Sequence, residues 1–451
     1  MTKPLNEREI VLGILMDITE HDVYSHIALG NTLSKYQYLD KKERAFITRV
    51  TEGTLEHMIE IDYILNQFSK VKIKKMKPVI RNILRSAVYQ LKYMDSVPDS
   101  AVCNEAVKLT VKKGFGPLKG FVNGVLRSTA RDFDKAEYPK DPVAALSVMY
   151  SMPEWILKKW LAEYDMTTVK QILADFQREK PVTIRCNTSR ITPQKLIQKL
   201  RASGVTVKSH PYLPYAFSID GYDYLGGLSS FREGLFAVQD ISSMLVGEIA
   251  APKEGSYVID VCAAPGGKAI HLADKLHGTG HVEARDLTEY KTRLIQDNID
   301  RMGLENISAA VQDATILNEA SIEKADIVIA DLPCSGLGVL GRKTDLKYKT
   351  TEKQAEELAL LQRNILSVVC QYVKPEGTLL YSTCTINQAE NMENVHWFLK
   401  THPEYALDSI QDKVYSALQG GVQEEGCLQL LPGVHDSDGF FIARLIKKGT
   451  R

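Results

Sequence analysis

The sequence predicts three folding units: an all-helical N-terminal domain, a small α+β unit and a C-terminal α/β domain with an open sheet. Residues 5–131 carry apolar side chains at helical spacing and almost no strand patterns. A polar, proline-marked segment at residues 132–142 interrupts this pattern. From residue 254 onward, strands alternate with helices, which indicates a parallel sheet. The predicted domains are residues 1–135, 143–245 and 246–451.

Six amphipathic segments make up the predicted helical domain. They cover residues 8–19, 28–33, 41–68, 79–93, 101–112 and 121–131. Asp40 and Glu43 have the spacing of a capping box, which marks the start of the third segment. Gly114, Gly116 and Pro117 separate the last two segments, because glycine and proline end helices.

The rest of the chain predicts both helices and strands. In the middle unit, helices are expected at residues 153–176 and 193–203, with strands at 182–187, 205–207 and 216–219. In the C-terminal domain, strands are expected at residues 257–261, 281–285, 307–311, 327–330, 378–381 and 439–445.

Charge and cysteine content restrict the class of protein. The chain has 451 residues, and its 56 basic residues balance 56 acidic ones, so the overall charge does not indicate nucleic acid. Seven cysteines without C-x-x-C spacing argue against a disulfide framework or a zinc site, so we expect no metal and a reducing, cytoplasmic location. The first seven residues lack a signal-peptide core, and no apolar stretch reaches the roughly 20 residues that span a bilayer, so we expect no membrane association.

Basic residues are in excess at the N-terminus, where residues 1–132 hold 21 Lys and Arg against 15 Asp and Glu. Many of them fall in one run: Lys70, Lys72, Lys74, Lys75, Lys77, Arg81 and Arg85. A solvated helix face and a surface that contacts phosphates explain this run equally well.

Two cysteines directly follow predicted strands. Cys334 and Cys384 stand in polar turns, next to hydroxyl and amide donors that support a thiolate. Because the carboxyl ends of parallel strands meet at one edge of a sheet, both thiols are expected where such sheets bind ligands. The other interpretation of a cysteine is a small buried apolar side chain, and we assign it to Cys103, Cys186, Cys370 and Cys427.

A loop of small residues follows the predicted strand at residues 257–261. It consists of Cys262, Ala263, Ala264, Pro265, Gly266, Gly267 and Lys268, and a helix begins within it. Small residues let the backbone approach a ligand, as in phosphate, nucleotide and S-adenosylmethionine loops. The loop is neither G-x-G-x-x-G nor a Walker loop, so the dinucleotide and triphosphate interpretations are excluded.

Acidic residues follow the next three predicted strands. Asp286 ends the second strand, where an acid can hold ribose hydroxyls, and Asp313 and Asp331 place two further acids along the same rim. A single acid of this kind is more often a turn or helix-capping residue, but the repetition at strand spacing favours a shared rim. Two thiols beside a methyl donor suggest methylation at carbon 5 of a pyrimidine. That carbon is not nucleophilic, so a thiolate first adds at carbon 6 and makes an enamine that attacks the methyl group.

Several motifs together resemble known families. The motifs at residues 260–268, 331–336, 382–384, 430–433 and 438–441 resemble those of the RNA cytosine-5 methyltransferases. The helical part is similar to the antitermination factor NusB at residues 60–62, 83–91, 97–98, 104–107 and 121–126. Both halves together resemble the RsmB (Sun/Fmu) family of bacterial enzymes, which modify a cytosine of 16S ribosomal RNA.

The resemblance implies an all-α NusB-like domain, then the small α+β unit, then a Rossmann-like S-adenosylmethionine methyltransferase domain. Its sheet would have seven strands, with the last one antiparallel. Residues 262–268 would form the cofactor loop, Asp286 would hold the ribose, Asp313 would lie by the adenine and Asp331 would close the pocket. Lys268 would touch the target base. Thr288 stands where many relatives carry a second acid, which puts the ribose contacts in doubt.

The resemblance also implies roles for the two thiols. Cys384 would attack the cytosine, and Cys334 would assist release of the enzyme after methyl transfer. In the DNA cytosine-5 enzymes the Pro-Cys thiol is the nucleophile, so a rival assignment exchanges the two roles. The RNA-type Thr-Cys motif favours Cys384.

The expected function is S-adenosylmethionine-dependent methylation of carbon 5 of a cytosine in 16S ribosomal RNA, carried out by a monomer. The alternatives are methylation of transfer RNA, or a non-catalytic NusB-like factor for ribosome assembly. RNA is expected to contact the basic run and two further groups of cations. These are Arg185, Arg190 and Lys195 in the middle unit and Arg342, Lys343 and Lys347 after Cys334.

Overall fold

In a computed structural model, the structure describes residues 6–36 and 38–449. Residues 1–5 lie outside the described residues. They belong to the predicted domain 1–135 and to the seven-residue start that lacks a signal-peptide core. The chain forms two compact units. One runs through Gln177 and includes Leu340–Thr350, and the other comprises Arg178–Val339 and the chain from Thr351. Within the described ranges, no helix is long and apolar enough to cross a membrane.

The first unit is helical, as predicted. In chain order its helices are α1 (Glu7–Glu20), α2 (Ser25–Lys35), α3 (Lys41–Glu56), α4 (Met58–Phe68), α5 (Pro78–Tyr93), α6 (Asp99–Lys112), α7 (Lys119–Asp132), α8 (Pro142–Met149), α9 (Glu154–Glu163) and α10 (Met166–Phe176). Asp40 and Glu43 form the predicted capping box at the start of α3. Helix α5 supplies Ile83, Leu84 and Val88 to the core, each almost fully buried. Burial of such side chains, at about 1.5–3 kcal/mol each, is the main term that holds the helices together.

Two of the predicted helices are each broken in two. The segment predicted at residues 41–68 ends at His57, whose ring stacks on Tyr93 with 4.0 Å between centroids, and α4 begins at the next residue. The segment predicted at 153–176 is interrupted before Asp165, whose side chain accepts a hydrogen bond from the Thr168 amide (2.8 Å) and caps α10. In both cases a side-chain contact fixes a non-helical residue inside a continuous apolar pattern.

The second unit begins with a four-stranded antiparallel sheet in the order β2-β3-β1-β4. Its elements are β1 (Val182–Cys186), α11 (Pro193–Ala202), β2 (Thr206–Ser209), β3 (Ala216–Asp220), α12 (Ser229–Arg232) and β4 (Phe236–Val238), and α13 (Ile241–Ala250) follows. The sequence patterns predict β1, β2, β3 and α11. They miss β4, because three residues are too few to show an alternating pattern.

The larger sheet occupies the rest of this unit. Its elements are β5 (Tyr257–Asp260), α14 (Gly267–Lys275), β6 (His281–Asp286), α15 (Glu289–Met302), β7 (Ile307–Val311), β8 (Ala325–Asp331), α17 (Glu352–Val369), β9 (Val373–Thr383), α18 (Met392–Thr401), β10 (Tyr405–Leu407), β11 (Val422–Glu424), β12 (Cys427–Leu430) and β13 (Phe440–Lys447). The short α16 (Leu346–Lys349) belongs to the helical unit.

The sheet follows the seven-strand plan that the resemblance implies. The order β7-β6-β5-β8-β9-β13-β12 has parallel pairing from β7 to β9, and β13 is antiparallel to both of its neighbours. Two three-residue strands enlarge the sheet to nine: β11 pairs with β12 and β10 pairs with β13. The sequence predicts seven strands and the sheet has nine, because strands of three residues give no periodic signal.

A buried ion pair joins the two sheets of the second unit. Arg185 of β1 is fully buried and donates to Asp274 of α14 (2.9 Å) and to Gln239 (2.8 Å). The other bonds to the Asp274 carboxylate come from the Thr188 and Ser189 amides and from both hydroxyls. The expectation that Arg185 contacts RNA is therefore wrong, because a fully buried guanidinium cannot meet a phosphate.

We predict that Asp274→Ala lowers the free energy of unfolding of this unit by about 3–5 kcal/mol, because it leaves the Arg185 charge buried and unpaired. Guanidinium titration of the full chain measures the effect. The matched control is Lys199→Ala, which breaks the half-exposed pair with Glu233 and is expected to cost less than about 1 kcal/mol. Equal effects of the two substitutions would contradict the assignment.

Candidate active site

Four strand ends of the large sheet meet at one edge. Asp260, Asp286, Asp331 and Thr383 are the last residues of β5, β6, β8 and β9, and these strands are parallel. Parallel strands bring their carboxyl ends to the same side of a sheet, so the small-residue loop, the acids and the two cysteine turns share one edge. This is the arrangement that the sequence predicts.

The small-residue loop is held by Asp286. The amide of Ala264 donates to Oδ2 of Asp286 (2.9 Å), while the Leu287 amide and the Lys291 ammonium reach Oδ1 (2.8 and 2.9 Å). Gly266 has φ +104°, a conformation that other residues rarely adopt, and a Cβ there would lie 3.1 Å from Ile270. The backbone therefore makes a tight turn directly before α14 begins.

Asp260 is a functional candidate that sequence reasoning missed. Its side chain is almost fully buried. Burial and the nearby Asp331, opposed by Lys268, raise the pKa of Asp260 to about 7. A signal was available, since Asp260 ends its strand just as Asp286 and Asp331 end theirs. A buried carboxyl whose pKa is shifted by a neighbouring acid is typical of a functional site.

Asp331 and Lys268 form an ion pair at the same edge. Their charged atoms are 2.7 Å apart, and Asp331 also accepts a hydrogen bond from the Ser382 hydroxyl (2.8 Å). Although burial opposes it, the Asp331 carboxylate raises the pKa of Lys268. The ammonium also lies 5.3 Å from the centre of the Phe440 ring. Lys268 therefore stays protonated at the site.

Asp313 and Thr288 have local bonds of their own. Asp313 is partly exposed. Its Oδ1 accepts hydrogen bonds from the Thr315 hydroxyl (2.6 Å) and amide (2.8 Å), which lower the pKa of Asp313. Thr288 is the N-cap of α15, and its hydroxyl accepts a hydrogen bond from the Lys291 amide (3.3 Å). These bonds give both residues a local structural role.

The two cysteines of the edge are in contact. The Sγ atoms of Cys334 and Cys384 are 3.2 Å apart, close enough for one thiol to donate a hydrogen bond to the other sulfur. The neighbouring Cys384, burial and the Glu390 carboxylate raise the pKa of Cys334 well above its usual value. Cys384, by contrast, interacts electrostatically with the Lys268 ammonium. The two thiols therefore have different charged neighbours, Glu390 for Cys334 and Lys268 for Cys384.

The other five cysteines are not part of this contact. Four of them are buried free thiols, as predicted, and Cys262 is partly exposed in the cofactor loop: Cys103, Cys186, Cys262, Cys370 and Cys427. Burial raises the pKa of Cys186, Cys370 and Cys427 to about 12 each. These thiols are inert, which distinguishes them from the pair at the edge.

The backbone is tightly packed behind the thiols. The Gly338 amide donates to the Cys384 carbonyl (3.1 Å), and the Gly439 amide donates to the Gly338 carbonyl (2.8 Å). A Cβ at Gly338 would lie 2.1 Å from the Gly439 carbonyl oxygen. Only glycine allows this approach, which joins the Cys334 loop, the Cys384 turn and the C-terminal motif.

Three cations of the predicted RNA surface have partners within the protein. Arg81 pairs with Glu20 (2.5 Å) and Arg85 with Asp62 (2.6 Å). Lys347 is buried and donates to the carbonyl of Glu56 (2.8 Å), and burial lowers its pKa to about 7. The expectation that Arg85 and Lys347 contact RNA is wrong, because both side chains are buried against internal partners, whereas Arg81 is half-buried. The remaining cations of the predicted surface are exposed: Lys70, Lys72, Lys74, Lys75, Lys77, Arg190, Lys195, Arg342 and Lys343.

The edge fits S-adenosylmethionine. The ligand carries a sulfonium, an ammonium and ribose hydroxyls, which match a rim of carboxylates that includes Asp260, Asp286 and Asp331. The tight turn at Gly266 lets the backbone approach. Residues 262–268 and the acids Asp260 and Asp286 would hold it. An open α/β sheet with this loop, this rim and two thiols defines an S-adenosylmethionine-dependent methyltransferase.

Comparison with known proteins gives the family. The chain matches the model for the 16S rRNA methyltransferase RsmB/F at residues 248–446, the NusB family at 5–131 and the ferredoxin-like domain of RsmF/B at 152–222. It is 35% identical to the probable ribosomal RNA small subunit methyltransferase B of Bacillus subtilis, over 99% of this chain and all of that protein. It is 31% identical to the protein of the same name from Synechocystis, over 98% of this chain and all of that protein.

Solved structures agree with this assignment. The crystal structure of PH0851 has a TM-score of 0.84 and 26% identity, over 99% of this chain and all of that chain. A methyltransferase homologue from Pyrococcus horikoshii has a TM-score of 0.59 and 26% identity, over 68% of this chain and 99% of that chain. The chain belongs to the ribosomal RNA small subunit methyltransferase B family. The predicted fold class, family and cofactor are confirmed.

We predict that Asp260→Asn removes a pH dependence of stability in the ligand-free protein. The folded-state pKa of Asp260, raised to about 7, favours the native state below the ordinary value near 4 and ceases to do so as pH rises through about 7. The difference is on the order of 4 kcal/mol.

Melting temperatures between pH 5 and 9 measure it. Wild type should lose stability between pH 5 and about 7 relative to Asp260→Asn, with no further relative loss above that pH. Asp313→Asn is the control, because hydrogen bonds from Thr315 lower the pKa of Asp313, so its carboxyl stays ionised and the shape of the wild-type profile should be unchanged. Parallel profiles of wild type and Asp260→Asn would contradict the prediction.

Proposed function

We propose that the protein methylates carbon 5 of a cytosine in 16S ribosomal RNA through a covalent bond between Cys384 and carbon 6 of the ring. The observation that carries this proposal is the pair of thiols at 3.2 Å with unequal surroundings. A single thiol would suffice for packing. Two thiols at the cofactor edge suit a reaction in which one sulfur must bond to the base and later leave it.

The charges favour Cys384 as the nucleophile. The Lys268 ammonium stabilises a thiolate at Cys384, while the Glu390 carboxylate and the neighbouring sulfur hold the proton on Cys334. Cys334 can then donate its S–H to the Cys384 sulfur. This asymmetry argues against the rival assignment, in which Cys334 attacks.

The reaction follows from these positions. The Cys384 thiolate adds to carbon 6, and the ring electrons move to carbon 5. Carbon 5 takes the electrophilic methyl group that S-adenosylmethionine would supply, and the electrons of the broken methyl–sulfur bond would remain on the sulfur of S-adenosylhomocysteine. The carbon 5 proton then leaves to solvent, its electron pair restores the ring double bond, and the carbon 6–sulfur bond breaks with its electrons on Cys384. The Cys334 S–H stabilises that leaving thiolate, and so assists release.

Ribosomal RNA is the proposed substrate because the curated relatives are named for it. The proposed arrangement is a cytoplasmic monomer without metal, in which the domains 1–135 and 143–245 bind RNA and 246–451 carries out the chemistry. The target base must leave its stack to reach the edge.

We predict that Cys334→Ala accumulates a covalent RNA–protein adduct, because the leaving thiolate loses its hydrogen-bond donor, and that Cys384→Ala forms none. Denaturing gels with labelled RNA and methyl donor measure the adduct. Cys370→Ala is the matched control, since this thiol is buried elsewhere in the unit. The opposite pattern would make Cys334 the nucleophile.

Substrate choice is tested with labelled methyl donor and separate, deproteinised small-subunit ribosomal RNA and transfer RNA. Methyl transfer to ribosomal RNA as 5-methylcytosine is the expected result. Transfer to transfer RNA alone would overturn the substrate, and transfer to neither would favour a non-catalytic assembly factor.

We predict that the exposed lysines at residues 70–77 bind the RNA backbone. The buried Ile73 and Met76 fix this segment, so its lysines face solvent. Replacing Lys72, Lys74 and Lys75 by alanine should weaken RNA binding and reduce the slope of log affinity against log salt by about 2. The control replaces Lys108, Lys112 and Lys113, which pair with Glu105 and Glu9. Equal losses in the two triple variants would contradict a specific surface.

A further inference from the structure

Glu390 is a fully buried carboxylate close to the two thiols. It ends a short 3-10 turn, six positions after Cys384. Its oxygens accept four hydrogen bonds: from the Ser335 amide (2.8 Å) and hydroxyl (2.5 Å), from Gln362 (3.0 Å) and from Asn387 (2.8 Å). All four donors are uncharged. A buried carboxylate is costly unless each oxygen is satisfied in this way, so its presence calls for a function.

The bonds of Glu390 converge on the residues that follow the two cysteines. Ser335 follows Cys334, and both its amide and its hydroxyl bond to Glu390. The Ser335 hydroxyl also lies 2.8 Å from the hydroxyl of Thr385, which follows Cys384. One carboxylate therefore fixes the Cys334 loop through Ser335, and the Cys384 turn through Asn387 and through the Ser335 hydroxyl.

Gln362 strengthens the same connection. Its amide donates to Glu390 and also to the carbonyl of Pro333 (2.8 Å), the residue before Cys334. The peptide groups on both sides of Cys334 are thus held by one network. The Cys384 turn has further bonds that do not involve the carboxylate, because Asn391 accepts from the Thr383 hydroxyl (2.6 Å) and donates to the Thr385 carbonyl (3.1 Å). Loss of the carboxylate should therefore displace Cys334 more than Cys384.

We propose that Glu390 is a positioning residue that holds Cys334 against the Cys384 sulfur during release of the methylated base. The inference rests on the proposed function, in which Cys334 assists that release. Without the carboxylate, Cys384 still attacks and the ring is still methylated, but the leaving thiolate lacks its partner. The covalent adduct then persists, as it does when the Cys334 thiol itself is removed.

The test compares adduct formation and kinetics in the full-length protein. Glu390→Ala should accumulate the adduct and lower kcat at least about tenfold, because small displacements of reacting groups have effects of this size. KM for RNA should fall with kcat, because a covalent adduct that waits for a slow release lowers both constants and leaves kcat/KM close to wild type. Glu390→Gln should restore much of the release, because its amide oxygen can still accept from the Ser335 amide. If Glu390 only stabilised the fold, the amount of adduct would not rise in Glu390→Ala and fall again in Glu390→Gln.

Two further variants separate the possible outcomes. Ser335→Ala removes only the hydroxyl between Glu390 and Thr385, and it should also accumulate adduct, so it carries the test if Glu390→Ala shows no cooperative melting. Glu248→Ala is the matched control, a carboxylate of the same unit bound to Tyr215 and Lys275, and it should leave the adduct at the wild-type level.

The two proposals fail in different ways. If Cys334→Ala traps adduct but neither Glu390→Ala nor Ser335→Ala exceeds wild type, Glu390 does not position the thiol. If Cys334→Ala traps none and wild type transfers no methyl group to RNA, the proposed covalent reaction itself is wrong.

Discussion

The site depends on the parallel register between β8 and β9. Asp331 pairs with Ser382, and the Leu332 amide donates to the Ser382 carbonyl (3.1 Å), so the two strands end side by side. Each strand turns into a cysteine-bearing loop within three residues of its end, which leaves the sulfurs 3.2 Å apart. A slip of one residue would turn every side chain of one strand to the other face of the sheet and separate the thiols.

Charge then gives two identical functional groups different roles. Lys268 lies on the side of Cys384, and Glu390 lies on the side of Cys334. Partners compensate the burial of both charged groups: Asp331 forms an ion pair with Lys268, and four uncharged donors hydrogen-bond to the Glu390 carboxylate. Paired titratable groups whose environments push their pKa values apart are the usual basis of acid and base assignments in enzymes.

The sequence predicts strand ends well and side-chain partners poorly. The acids and cysteines were found because strand patterns and their ends are local in the chain. The burial of Arg185 was not predictable, because its partner Asp274 lies 89 positions away, and Lys347 meets Glu56 across 291 positions. Glu390 was missed because a polar run after a strand usually indicates an exposed loop. The roles of individual residues and the domain boundaries remain predictions.

The antiparallel strand explains why the C-terminal motif belongs to the site. Because β13 runs against β9, its first residues lie beside the last residues of β9, and Phe441 pairs with Thr383. This direction places Phe440 near Lys268 and lets Gly439 bond to Gly338 behind the cysteines. A parallel strand in the same position would have carried residues 438–441 to the opposite edge of the sheet. The antiparallel direction of β13 therefore brings residues 438–441 to a side of the site that the parallel strands alone would leave open.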